Sequence, residues 1–348
     1  MTQLEAITPV EAITPGEERR ALIVLLSVIF LMIVGFGLVI PLLPFFAQAF
    51  DAPAWQVTLL FSAFSVGQFI GEPFWGKLSD RIGRKPVLII TIGMVGVTYA
   101  AFAFAPNLWA AFAIRFVNGI FAGNISVLQG ALAVILLVRE SRPKNAQPQK
   151  RVRSARVREG FAHPIISRMV MISFIVVIGF AGIEATYGLW TEARFGWGPR
   201  QIGLAFMAIS VLGVFCQGVV TGRLARRFGE ARTLTAGLVL MGLGLCVQGA
   251  SPNWQIAIVG FALVCVGQSI CFPNVTALIS QSAPPDRQGE MMGLNMSGMA
   301  LARIVGPVMA GQLFSLVAPG APFAFSALLV LPALVFAWAV VKRTPRPA

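Results

Sequence analysis

Long apolar runs, broken by short polar stretches, dominate this chain. Runs of about 20 apolar residues, each able to cross about 30 Å of hydrocarbon, recur over residues 21–47, 57–75, 86–105, 108–138, 166–192, 202–222, 233–250, 254–281, 288–316 and 322–341. Inside a bilayer the backbone has to satisfy its own hydrogen bonds, so each run predicts a helix. A membrane β-barrel would alternate apolar and polar residues over segments of about ten positions, whereas these runs are continuous. Ten crossings return both ends of the chain to one side, and the polar stretches alternate between the two sides.

Composition agrees with this pattern. The 348 residues are 57% hydrophobic and 12% charged, against about 25% charged in a soluble domain. Mean hydropathy is +0.79. A net charge of +13 would allow nucleic-acid binding, but its distribution points elsewhere. The alternating segments put 23 of the 27 Lys and Arg on one side, while the other side receives only Arg194 and Arg200. Such a bias marks the cytoplasmic face of a membrane protein. The expectation is a multi-pass inner-membrane protein with both termini cytoplasmic and no nucleic-acid partner. The first run is too long for a signal-peptide core of 7 to 15 residues. Residues 1–20 carry the duplication "EAITPVEAITP" and read as a disordered tail. The rest divides into a helical bundle at 21–138, a basic loop at 139–165, a second bundle at 166–342 and a tail at 343–348. Cys216, Cys246, Cys265 and Cys271 all fall in apolar runs, and they read as buried small hydrophobes.

The two halves repeat one another, a habit of membrane transporters. "GKLSDRIGRKP" (76 to 86) is echoed by "GRLARRFGEAR" (222 to 232), and "APNLW" (105 to 109) by "SPNW" (251 to 254). Asp80 of the first copy becomes Arg226 in the second. After this point the halves diverge. The second half continues 57 residues further than the first, enough for two spans with their loops. The run at 108–138 is also too long for one span: its 31 residues would extend to roughly 46 Å as a helix. It reads as the start of one helix joined to the end of another, with the join between Gln129 and Ala133. The expected architecture is therefore all-α, with about 4 + 6 spans.

"GKLSDRIGRKP" resembles the signature loop between the second and third helices of the major facilitator superfamily. "GFGLVIPLLP" (35 to 44), "FSVGQFIGEPFWGKLSDRIGRKPVL" (64 to 88) and "IRFVNGIFAG" (114 to 123) resemble segments of its tetracycline and multidrug efflux group. "GMALARIVGPVMAGQLF" (298 to 314) has the glycine–proline pattern of an antiporter motif. The resemblance implies two six-helix bundles around a central cavity, alternating access, and exchange of substrate for protons. It implies that the loop motif of Gly76, Lys77, Asp80, Arg81, Gly83, Arg84 and Lys85 is a gate, with Asp80 latching the outward-open state. The departure from the family is the absence of the fifth helix and most of the sixth.

Charge inside a span costs roughly 2.5 to 3.5 kcal/mol or more and demands a reason. Glu184, in "GFAGIEATYGLW", lies deepest. It is the leading proton carrier, since a desolvated carboxyl holds a proton more readily, with a structural hydrogen bond or a lid position as the alternative. Glu72, in "IGEPFWG", is the second candidate and has the basic loop as a rival partner. Arg115 is a candidate for substrate or coupling through the family resemblance, and otherwise for a structural ion pair. Arg303, on a glycine-rich run, reads as structural first and functional second. Gln68, Asn118 and Asn124 are polar groups that either line the cavity or join helices. Pro41, Pro44, Pro273 and Pro307 mark kinks. No phosphate-binding loop G-x-x-x-x-G-K-[ST] appears, and the lone His163 forms no metal cluster. We expect no cofactor, no metal and no enzymatic activity.

The leading reading is a monomeric, proton-coupled exporter of small amphipathic compounds, tetracycline-like drugs among them. Its partners would be substrate, protons and the bilayer. A uniporter or symporter of the same fold is one alternative. An internally deleted, non-transporting remnant is the other.

Overall fold

A computed structural model describes residues 27, 39–47, 49–124, 163–284 and 287–342. Among them the regular structure is helical: α1 (39–47), α2 (Ala54–Ile82), α3 (Arg84–Ala103), α4 (Leu108–Ala122), α5 (Pro164–Phe195), α6 (Pro199–Phe228), α7 (Glu230–Ala250), α8 (Trp254–Ser282), α9 (Gln288–Leu316) and α10 (Ala321–Val341). Eight of these are long and apolar enough to span a membrane; α4 is shorter. The tail at 1–20, most of the first predicted span, the proposed join at 129–133, the basic loop and the tail at 343–348 lie outside the described residues.

Several helices outrun their apolar cores. The run predicted at 57–75 is a helix from Ala54 to Ile82, and the stretch expected as a loop at 76–86 is helical except at Gly83. Gly83 has φ +92° and ψ +158°, a backbone region open essentially to glycine alone. Its N–H donates to the Ser79 carbonyl at 3.0 Å, so one residue ends α2 and starts α3. Gly229 repeats the device, with φ +82°, ψ +155° and its N–H on the Ala225 carbonyl at 2.8 Å. The second echo is also structural. Asn107 and Asn253 cap α4 and α8, each accepting from the backbone N–H three residues on, at 2.9 and 3.1 Å. An Asn side chain there satisfies one of the unpaired N–H groups of a helix start.

Apolar surface gains little from leaving lipid, so membrane helices hold together by close packing and hydrogen bonds. The α2–α4 pair shows this best. A Cβ on Gly67 or Gly71 would overlap the carbonyl oxygens of Phe116 or Ile120, and one on Gly119 would overlap that of Phe64. The glycines recur every fourth residue on each helix, so the two backbones touch. Trp75 Nε1 then donates to the Ile120 carbonyl at 2.7 Å. Helices α5 to α10 form a second bundle, whose main buried cluster includes Tyr187, Trp190, Leu238, Met241, Phe261 and Phe323.

The halves meet along two seams. Leu43 of α1 and Leu60 of α2 share a buried cluster with Ala185 and Leu189 of α5. In the other seam α2 packs on α9, where Ser62 Oγ donates to the Ile304 carbonyl at 2.8 Å. Outer surfaces carry large apolar side chains such as Phe104, Trp109 and Leu316, as a lipid-facing surface does. Pro73, Pro273, Pro307 and Pro332 lie inside helices that continue past them, and Pro41 and Pro44 lie within α1. Cys216, Cys265 and Cys271 are buried as expected, but Cys246 is exposed. It sits on a face of α7 turned away from the bundle, where a thiol behaves as one more small apolar group.

Replacing Gly71 by Leu should separate α2 from α4. The expected outcome is loss of the folded protein, read as a fall in its thermal midpoint in detergent of at least several degrees, while Gly93→Leu on the open face of α3 leaves the midpoint nearly unchanged.

Candidate functional site

Three intramembrane charges gather where the halves meet. Glu72 stands on α2, Glu184 on α5 and Arg303 on α9. The packing fixes their order along the membrane normal. Gly182 of α5 lies against Gly306 and Ala310 of α9, so Glu184 stands toward the α9 C-terminus from Arg303. Ser62 of α2 meets Ile304, and α2 runs antiparallel to α9, so Glu72, ten residues on, stands toward the α9 N-terminus. Arg303 sits between the two levels, close enough to act electrostatically on both carboxylates. Both carboxylates are partly buried and Arg303 is exposed. Among the described residues Arg303 makes no ion pair within 4 Å. Arg303 is thus the cation that acts electrostatically on one carboxylate from each half, without a direct ion pair to either among the described residues.

The sequence marked each of the three charges but did not join them. It gave Glu72 the basic loop as a rival partner and ranked Arg303 as structural first. The available signal was charge balance: an intramembrane Arg needs an acidic partner, and the spans offer few.

A second polar site lies within the first bundle. Arg115 on α4 is 2% exposed. Its guanidinium lies 4.6 Å from the centre of the Phe64 ring, and Tyr99 of α3 is within electrostatic range. Its Nε and Nη1 have no hydrogen-bond partner among the described residues. Asn118 and Asn124 join α4 to α3. Asn118 Nδ2 donates to Thr98 Oγ1 at 2.6 Å, and Asn124 Nδ2 donates to Thr91 Oγ1 at 2.7 Å. The hydroxyls in turn donate to backbone carbonyls of α3. Thr91 and Thr98, two helical turns apart, went unnoticed in the sequence, although a threonine pair at that spacing is the visible signal. Gln68 is partly buried on α2, where its backbone lines the contact with Gly119 and Gly123.

Of the loop motif, Gly76 and Lys77 lie in the last turns of α2 with Arg81, Gly83 makes the turn, and Arg84 and Lys85 open α3. Lys77, Arg81 and Lys85 are exposed. Asp80 is helical, and its side chain lies outside the described residues. Among the described residues no group of three or more His, Cys, Asp or Glu side chains could hold a metal.

Stacked apolar helices with charges held at a seam between two halves define a multi-pass membrane transporter rather than an enzyme. The model of the Major Facilitator Superfamily matches residues 25–147 and 169–348, and the chain belongs to that family. It is 26% identical to the class C tetracycline resistance protein of Escherichia coli, over 86% of this chain and 91% of the relative. It is 22% identical to the quinolone resistance protein NorA of Staphylococcus aureus, over 85% and 90%. Among solved structures it resembles the human organic anion transporter MFSD10 (TETRAN), with a TM-score of 0.67 and 22% identity, covering 93% of this chain and all of the other. This chain is shorter than its relatives. The alignment to the class C protein runs over 362 positions while covering 86% of 348 residues, which leaves some sixty positions of the relative unmatched, close to the deficit between the halves.

Thr98→Val should remove the acceptor of Asn118 and leave a buried amide unpaired. The expected cost is about 0.6 to 2 kcal/mol, the range for interhelical hydrogen bonds in membranes, read as a lower unfolding midpoint in detergent. Thr91→Val should behave alike through Asn124.

Proposed function

We propose that this chain exports small amphipathic compounds across the inner membrane by proton antiport and alternating access. Its termini would be cytoplasmic, and its 4 + 6 spans divide into bundles at 21–138 and 166–342. The observation that carries this reading is Arg303 lying between Glu184 and Glu72. A proton entering from outside neutralises Glu184 and frees Arg303 to favour Glu72 on the other half. Loss of that proton draws Arg303 back. The charge shared across the seam thus changes partner with each protonation, and the two halves change their angle with it. The motif 76 to 85 gates the cytoplasmic side, with Asp80 as the latch. The relatives named for tetracycline and quinolone resistance support drug-like substrates.

A second reading concerns the substrate alone. Arg115 Nε and Nη1 have no hydrogen-bond partner among the described residues, which favours a substrate carrying an anionic group. The name of the MFSD10 relative, an organic anion transporter, is consistent with it.

The test is transport in inverted membrane vesicles, with a tetracycline, a cationic dye and an anionic dye. The proposal expects uptake that a protonophore stops. Glu184→Gln should reduce gradient-driven accumulation by roughly ten- to a hundredfold, the span of an ordinary coupling free energy, while substrate still exchanges down its own gradient. Uptake unaffected by the protonophore would favour a uniporter. Binding without any flux would favour a remnant that no longer transports.

A further inference from the structure

A groove of about 540 Å³ runs between α7 and α10 on the outer surface of the second bundle. None of its lining residues belongs to the Arg303 or Arg115 sites, and transport does not account for it. Its walls are Ala236, Val239 and Leu240 of α7 with Trp338 and Val341 of α10. Val239 and Trp338 are 43% and 57% exposed, so the groove opens sideways into the hydrocarbon. Because α7 begins where α10 ends, both helix termini lie at one end of the groove. Arg232, in the first turn of α7, lines that end. Lys342, just past α10, holds its Nζ 3.5 Å from the centre of the Trp338 ring. Arg232 and Lys342 are both exposed, and neither makes an ion pair among the described residues. The nearby carboxylate of Glu230 is engaged elsewhere, accepting from Gln281 Nε2 at 3.0 Å.

An apolar slot that faces lipid, closed at the membrane boundary by two exposed cations without ion pairs among the described residues and by an indole, is complementary to one chemistry. We propose that it is a binding site for an anionic phospholipid. One acyl chain lies along Val239, Leu240 and Trp338, and the phosphate sits between Arg232 and Lys342. The indole belongs at that depth, since Trp favours the membrane interface. The long stems of Arg and Lys reach the headgroup level from helix ends. The site stands independently of substrate and of proton coupling.

The experiment uses the full chain in detergent and follows quenching of Trp338 by phospholipids brominated on the acyl chain, with Trp338→Phe subtracted to remove the other tryptophans. Brominated phosphatidylglycerol is compared with brominated phosphatidylcholine of the same chains. Each cation near the surface is expected to contribute about a fivefold preference for the anionic lipid. Arg232→Gln and Lys342→Gln should each remove about that factor, and together they should remove the preference. Both side chains are exposed, and an unchanged unfolding midpoint verifies that the variants fold. Inorganic phosphate at millimolar concentration should not relieve the quenching. Equal quenching by the two lipids, a preference that survives in the double variant, or displacement by free phosphate would each overturn the proposal. So would the absence of quenching by either lipid, the result expected if a second copy of the chain covers the groove.

Discussion

A guanidinium placed among apolar helices has to be answered by negative charge, and the placing of Arg303 organises the centre of this protein. Its two possible partners come from opposite halves of the chain. Each lies about a few helical turns from it along the membrane normal, one above and one below. Among the described residues the α2–α9 seam carries the hydrogen bond from Ser62 to the Ile304 carbonyl and a close contact of Thr58 with Gly311. Within the first half backbone packs directly against backbone at Gly67, Gly71 and Gly119. Close packing within each half suits the rocking motion we propose, in which a single cation would supply two electrostatic end points.

Much of the fold was legible in the sequence because the bilayer leaves few alternatives. Continuous apolar runs had to be helices, and eight long spans follow that pattern. The internal echo was legible as well, and its meaning is conformational. Gly83 and Gly229 recur because a one-residue reversal needs a positive φ, and Asn107 and Asn253 recur because a helix start needs a cap. Helix ends were less legible. Hydropathy reports where lipid stops, whereas a helix stops where its backbone turns, so α2 continues seven residues beyond Trp75 to Ile82.

The site was legible as single residues and illegible as an arrangement. Glu72, Glu184, Arg303 and Arg115 stand out because charge in hydrocarbon is costly. Which of them meet depends on helix register between distant segments, and no pattern within one helix encodes that. The glycines of α2 and α4 had the same difficulty: their spacing is visible, but their partner is not. The sequence placed a deficit in the first half from the repeat and from the overlong run at 108–138, and the roughly sixty unmatched positions of the class C relative show that the chain is shorter by about that much.

The measurement that bears most directly on a shared cation is a double-mutant cycle on proton-driven transport and on unfolding in detergent. It combines Arg303→Gln with Glu184→Gln and, separately, with Glu72→Gln. If Arg303 serves both carboxylates, each cycle is non-additive by about 0.5 to 3 kcal/mol, and Arg303→Gln costs little once both carboxylates are gone. Additivity in both cycles, within about 0.3 to 0.5 kcal/mol, would show that the three charges act independently and would contradict this account of the seam.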